Sequence, residues 1–347
     1  MNTLHIVITT HNLTLILAFG FLGFALSMLI TPIYTTIAYK QEWWKRQRTD
    51  AWSGGKATVY AKLHAEKHKR HIPTMAGLIF VCAILLVTLI FNLDRGQTWL
   101  PLAGLIGAAA IGLIDDFMNI RSIGGVAGMS ARVKFGLYSI LLLLGGWWFY
   151  AKLGVTSIYI PWIMNNHWHV GIFIVLLFWI VVIATAISVN FSDGLDGLAG
   201  GLLTASFSAY AIIAVTEGKI ALAGFCLTVV GSLLSYTWFN IYPARFFMGD
   251  VGAFALGTAL GIIAFQTDTV YLLPVIGAVY VMETGSVIIN RTSRKLRNGK
   301  KVFLSSPIHH HFEAIGWPET KVTMRFWILG EIASVVGLII FLIGRRG

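Results

Sequence analysis

Charge is what this sequence has least of. Only 12% of its 347 residues are Asp, Glu, Lys or Arg, whereas a soluble domain carries about 25%. With 56% hydrophobic residues and a mean hydropathy of +0.75, a water-soluble fold would expose far too much apolar surface. The chain is therefore expected to be an integral membrane protein. Cysteine is scarcer still. Cys82 and Cys226 each sit inside an apolar run, which excludes a disulfide framework and a thiolate zinc site. Internal repeats and low-complexity tracts are also missing. Negative charge is the third shortage, with 15 acidic residues in the whole chain. Where those few fall is correspondingly informative.

What the sequence has in abundance is long apolar runs. A membrane-spanning helix needs about 20 mostly apolar residues. Ten candidates lie near 13–38, 73–92, 98–114, 133–151, 169–189, 197–216, 219–238, 251–266, 270–290 and 326–344. This predicts an all-α, polytopic membrane protein, with 1–347 forming a single transmembrane unit. The first run is too long for the core of a signal peptide, so it is read as a retained span. The runs at 98–114 and 251–266 are short and glycine-rich, which suits close helix packing. Glycine-rich outer helices are also compatible with a homodimer.

Orientation follows from the cations. With the 40–70 loop in the cytoplasm and strict alternation after it, 21 of the 26 Lys and Arg fall on the cytoplasmic side. That bias places both termini outside. It also accounts for the net charge of +11 through topology and anionic lipid, so a nucleic-acid partner is not expected. One outer segment, 155–162 (VTSIYIPW), is β-branched and aromatic. It reads equally as a short strand or hairpin and as a loop with interfacial aromatic anchors.

Five of the acids, Asp115, Asp116, Asp193, Asp196 and Asp250, fall at cytoplasmic helix ends in three separate loops. Ionisable groups at membrane depth are costly and point to function. Asp115 and Asp116 are expected to close the third helix, where two adjacent carboxylates oppose the dipole and repel each other. Mg²⁺ or Lys134 could supply the compensating cation. Asn190, Asp193 and Asp196 are spaced i, i+3, i+6 and would share one face if helical. Pro243 and Gly249 mark a turn, after which Asp250 opens a helix, as a cap or beside backbone N–H groups that favour phosphate. His309, His310 and His311 follow Pro307 in a second basic stretch, read as a loop. Adjacent histidines lack the usual zinc spacing, so their imidazoles are expected to hydrogen-bond phosphate or sugar. Together these pieces describe metal-assisted phosphoryl transfer at one membrane face. A secondary transporter would instead keep its charged site near the bilayer midplane.

The strings HIPTMAG at 71–77, LIDD at 113–116, NFSDGLDGL at 190–198, FMGDVG at 247–252 and PIHHHFE at 307–313 together resemble the phospho-N-acetylmuramoyl-pentapeptide transferase family. That family belongs to the polyprenyl-phosphate N-acetylhexosamine-1-phosphate transferases. The resemblance implies ten helices with both termini periplasmic, in the bacterial inner (cytoplasmic) membrane, with the active-site loops on the cytoplasmic face. It implies transfer of phospho-MurNAc-pentapeptide from UDP-MurNAc-pentapeptide to undecaprenyl phosphate, giving lipid I and UMP with Mg²⁺ as cofactor. Carried over residue by residue, Asp250 is the Mg²⁺ ligand or a nucleophile, and Asp115 and Asp116 handle the lipid phosphate and are counted with Asp250 as metal residues. His310 is counted with these as catalytic. Thr74, Lys134, Asn190, Asp193, Asp196, Asn240, Phe247, His309, His310 and His311 fall at substrate-binding positions. The alternative is the sibling enzyme that transfers GlcNAc-1-phosphate from UDP-GlcNAc; the uninterrupted histidine triplet favours the muramoyl enzyme. Asn119, Ala253 and Asn290 depart from the Lys, Ser and Gln common at those positions in the family, which bears on ligand detail beside the site.

Overall fold

In a computed structural model the chain is described over residues 9–44, 71–121, 128–161 and 167–344. Most of the expected 40–70 basic loop lies outside these residues, as do Trp162, Arg345 and Arg346.

The described chain is nearly all helix. Its long elements are α1 (Thr10–Lys40), α2 (Gly77–Phe91), α3 (Trp99–Arg121), α4 (Ala131–Leu153), α5 (Ile174–Ser192), α6 (Leu198–Thr216), α7 (Ile220–Asn240) and α8 (Asp250–Gln266). A short α9 (Leu273–Ile276), α10 (Ala278–Leu296), a short α11 (Ile308–Ala314) and α12 (Glu319–Gly344) follow. Among the described residues, seven helices are long and apolar enough to cross a bilayer, or eight if the bent α9–α10 pair is one span. α2 and α8 are apolar but shorter. Each of the ten expected segments overlaps a helix.

Three expectations are corrected. α3 runs past 114 to Arg121, so Asp115 and Asp116 sit within its last two turns and do not end it. The segment expected as one span at 270–290 is broken at Gly277, where the two halves bend by 79°. Pro274 and Gly277 supply the usual causes of such a break. The second half then carries Arg291, Arg294 and Lys295 beyond the apolar part. The fold is also not purely α. β1 (Ser157–Tyr159) pairs antiparallel with β2 (His167–His169), with Ile158 opposite Trp168. The strand reading of the 155–162 segment therefore holds for its central residues. The hairpin is tied to the turn after α8, where Tyr159 N–H donates to Asp268 at 2.9 Å.

α8 is the hub. Every residue from Val251 to Phe265 is buried, against neighbours that include α3 and α5. Small residues make this possible, because without water between helices the association depends on close packing. Gly257 faces the Ala186 Cα of α5, where an added Cβ would sit only 2.7 Å away. At the periphery α1 and α12 present Leu17, Phe21, Leu29, Ile328 and Ile332 outward, as lipid-facing helices should.

Candidate active site

Four helix ends build the site. The first contact is made by an absence of side chain. A Cβ at Gly112 of α3 would lie 2.5 Å from the Asp250 carbonyl oxygen and 2.7 Å from Val251 N. Only glycine permits that approach, and it sets the end of α3 against the start of α8. Asp116 Oδ2 then accepts from Val251 N–H at 3.1 Å. α8 is thus capped from a neighbouring helix. Its own cap position is Gly249, with φ of 74°, and Asp250 is the first helical residue. The expectation of Asp250 as the cap is corrected accordingly. A Cβ at Gly249 would lie 2.5 Å from Asp116 Oδ2 and 3.0 Å from Thr74 Oγ1, so Thr74 joins the same corner.

Lys134, one of the two cations expected between the carboxylates, comes from the first turn of α4. Its Nζ donates to Asp115 Oδ2 at 3.0 Å and to Asp250 Oδ2. It also sits 4.6 Å from the centre of the Phe254 ring, a further attraction for a cation. Asn190 Nδ2, at the end of α5, donates to the other Asp250 oxygen at 3.1 Å. Met129 N–H donates to Asp115 Oδ1 at 2.6 Å. Asp115, Asp116, Lys134, Asn190 and Asp250 are therefore brought together from four helices. Asp115 and Asp116 are buried, where paired charge is needed to offset desolvation.

Phe247 and Thr74 are held together by backbone hydrogen bonds. Phe247 N–H donates to the Pro73 carbonyl at 2.8 Å, and Ala76 N–H donates to the Phe247 carbonyl at 3.0 Å. Phe247 is half-buried, leaving part of its ring open.

The 190–197 loop does not keep the helical face expected of it. α5 stops at Ser192, Asp193 caps it, and a tight turn follows. Asn190 therefore points to Asp250 while Asp196 points elsewhere. Asp196 is buried and its Oδ2 accepts from Ala244 N–H at 2.9 Å. Asn240 is likewise internal: its Oδ1 accepts from Gly197 N–H at 2.9 Å and its Nδ2 donates to the Phe246 carbonyl at 2.8 Å. These two residues fasten the loops that carry Asp193 and Phe247.

The three histidines lie on α11, a short helix, and not in the loop expected from Pro307. Pro307 is its cap and so begins a helix where a loop was expected. Neighbours on a helix diverge by about 100°, and the rings do take three directions. His309 Nδ1 lies 2.9 Å from Glu283 Oε2. His310 Nδ1 is 2.7 Å from Glu313 Oε2. His311 Nδ1 accepts from Leu304 N–H at 3.3 Å. The sequence reading missed Glu283, although an acid within an apolar run was itself a signal. It also missed Glu319, whose Oε1 accepts from Asp196 N–H at 2.7 Å, for which composition offers no cue. Asn290 pins the approach to α11, its Oδ1 accepting from Val302 and Phe303 N–H at 3.0 and 2.9 Å.

Two carboxylate oxygens, from Asp115 and Asp250, thus converge on one ammonium. An all-oxygen pair of this kind suits a hard divalent cation held by one or two carboxylates plus substrate phosphates and water. Among the described residues no three His, Cys, Asp or Glu form a ready-made metal cage.

Comparison with known proteins places the chain in a family. The chain is 33% identical over 335 residues to the phospho-N-acetylmuramoyl-pentapeptide-transferase of Chloroflexus aurantiacus, covering 92% of this chain and 88% of that protein. It belongs to the phospho-N-acetylmuramoyl-pentapeptide transferase family. The like-named proteins of Moorella thermoacetica and Francisella philomiragia are 39% and 37% identical over 270 and 293 residues. These cover 78% of this chain, and 84% and 80% of the relatives. The family model for Glycosyl transferase family 4 matches residues 98–268. In this phospho-N-acetylmuramoyl-pentapeptide transferase family member that stretch contains the whole carboxylate–lysine cluster, while Thr74 and α11 lie outside it.

Proposed function

We propose that the protein transfers phospho-MurNAc-pentapeptide from UDP-MurNAc-pentapeptide to undecaprenyl phosphate, releasing UMP and forming lipid I. The observation that carries this reading is Lys134 bridging Asp115 and Asp250 where α3, α4, α5 and α8 meet. Scarce carboxylates gathered on one cation, in a chain of apolar helices, suit a reaction between a diphosphate and a lipid phosphate. The same reading makes the chain one catalytic unit of ten spans in the bacterial inner membrane. Both termini are periplasmic, the site is cytoplasmic, and glycine-rich outer helices leave room for a homodimer.

Mg²⁺ is the metal of this reading, with Asp250 and Asp115 as its protein ligands and Asp116 beside them. When bound it would neutralise charge on the diphosphate. Asp115 and Asp116 orient the lipid phosphate, and one of the two carboxylates takes up its proton. An oxygen of that phosphate attacks the phosphorus attached to the sugar. The bond from this phosphorus to the bridging oxygen breaks, and the electron pair leaves on UMP. Lys134, released from a carboxylate as substrate enters, offsets negative charge in the transition state. Asn190 and Thr74 hold the diphosphate region. The exposed part of Phe247 offers a stacking face to the uracil. Asp193 and His310 border the sugar and its peptide, while Asp196 and Asn240 act through the loops they fasten.

Purified protein supplied with undecaprenyl phosphate and either UDP-MurNAc-pentapeptide or UDP-GlcNAc tests the assignment. UMP and a lipid-linked product of the matching mass are expected from the first donor. UMP from UDP-GlcNAc alone would overturn it in favour of the sibling activity.

A further inference from the structure

Helix α10 carries a fully buried carboxylate that the mechanism above does not use. Glu283 and His309 are each 0% exposed, with His309 Nδ1 2.9 Å from Glu283 Oε2. His309 N–H points to the same oxygen at 3.5 Å. The other ring nitrogen, Nε2, is the atom nearest to where a Cβ on Gly194 would lie. Gly194 directly follows Asp193, in the loop between Asn190 and Asp196. The ring centre of His310 is 4.1 Å from that of His309. One residue along α10, Thr284 Oγ1 donates to Ser188 Oγ on α5 at 2.8 Å. α10 therefore holds the 190–197 segment at two points, through Ser188 before it and through His309 within it.

From this geometry we infer that Glu283 is a positioning residue, which acts through His309 to set the Asp193-bearing loop and the His310 ring against the nucleotide-sugar substrate. The inference rests on the transferase reading, and it revises the role carried over to His309. A ring with no exposed surface sits behind the site and shapes it, whereas His310 and Asp193 border it. Glycine at 194 is part of the device, since any larger residue would meet the imidazole.

The test separates positioning from general folding. Glu283→Ala is expected to raise KM for UDP-MurNAc-pentapeptide by about tenfold to a hundredfold, the usual cost of losing an outer-shell partner. KM for undecaprenyl phosphate should stay within about twofold. Glu283→Gln, which keeps the shape and one acceptor, should recover most of the loss. Equal shifts in both KM values, a fall in kcat alone, or no change would each overturn the inference. Should Glu283→Ala fail to fold, His309→Gln carries the same comparison against wild type and Glu283→Gln. A thermal-unfolding cycle on Glu283→Leu and His309→Gln reads the brace without turnover. The double variant should melt no lower than the worse single one, and additive losses would refute the coupling. Wild-type protein releasing no UMP would remove the transferase reading and leave the brace to be judged by the thermal cycle.

Discussion

Gly112→Ala acts where α3 and α8 touch most closely. The new methyl would lie 2.5 Å from the Asp250 carbonyl oxygen, while ordinary contact begins at 3.4 Å. The helices must part by about 0.9 Å, because the opposing atoms are backbone and cannot rotate away. Asp115 and Asp116 follow Gly112 within about one helical turn, so they move with it. The 3.1 Å bond from Val251 N–H to Asp116 would stretch to about 4 Å, past useful length. Lys134 could then no longer bridge Asp115 and Asp250 in its present geometry. A displacement of about 1 Å in a reacting constellation costs on the order of 10²-fold in rate. The assay is kcat/KM for UMP release, with the melting temperature recorded in parallel. Gly136→Ala is the control: nothing lies within 4 Å of a Cβ there, so activity should stay within about twofold. Wild-type turnover and melting by Gly112→Ala would refute the argument that this approach builds the site.

Lys134→Met removes the ammonium between Asp115 and Asp250, which should lower kcat/KM at least about tenfold. It should also make melting more responsive to added Mg²⁺ than in the wild type; equal responses would count against a shared cation position. Asn240→Ala strands the Gly197 N–H and the Phe246 carbonyl, both buried, at a cost of about 2–4 kcal/mol. Denaturant titration in detergent would read that loss. Asp268 lies outside the membrane-spanning helices, and burial raises its carboxyl above the ordinary value, with the Tyr159 N–H, His167 and Lys219 opposing. The folded state therefore holds the proton more tightly than the unfolded chain. The contribution to stability is full below the ordinary carboxylate value and is lost as pH rises through the raised one. Asp268→Asn should flatten that slope in melting temperature across mildly acidic pH, and an unchanged slope would exclude this group as its source.

The cluster was legible because intramembrane acids are costly, so Asp115, Asp116 and Asp250 stood out by position alone. Charge balance called for a compensating cation, and Lys134 was one of the two named, with Mg²⁺. What the pattern did not show is how far a helix continues once its polar residues find partners. α3 carries Asp115 and Asp116 through two more turns because Met129 N–H, Val251 N–H and Lys134 compensate them. Spacing of three suggested one face for Asn190, Asp193 and Asp196, yet α5 unwinds at Ser192. Asp196 then bonds a backbone N–H contributed from position 244, a contact that chain order does not foretell. Glu283 was hidden differently, since its meaning depends on His309, which lies 26 positions away. The first strand of the hairpin was visible in its β-branched run, whereas its partner HWH carries no such pattern.

The central claim is that Asp250, within the α3–α8 cluster, serves phosphoryl transfer to a lipid phosphate. The direct measurement is UMP release from UDP-MurNAc-pentapeptide with undecaprenyl phosphate, by wild type and Asp250→Ala, with and without Mg²⁺. The account predicts release that needs Mg²⁺ in the wild type and falls by about 10³-fold or more in a variant that still melts normally. Appreciable turnover by Asp250→Ala, or release indifferent to chelation of divalent cations, would contradict it.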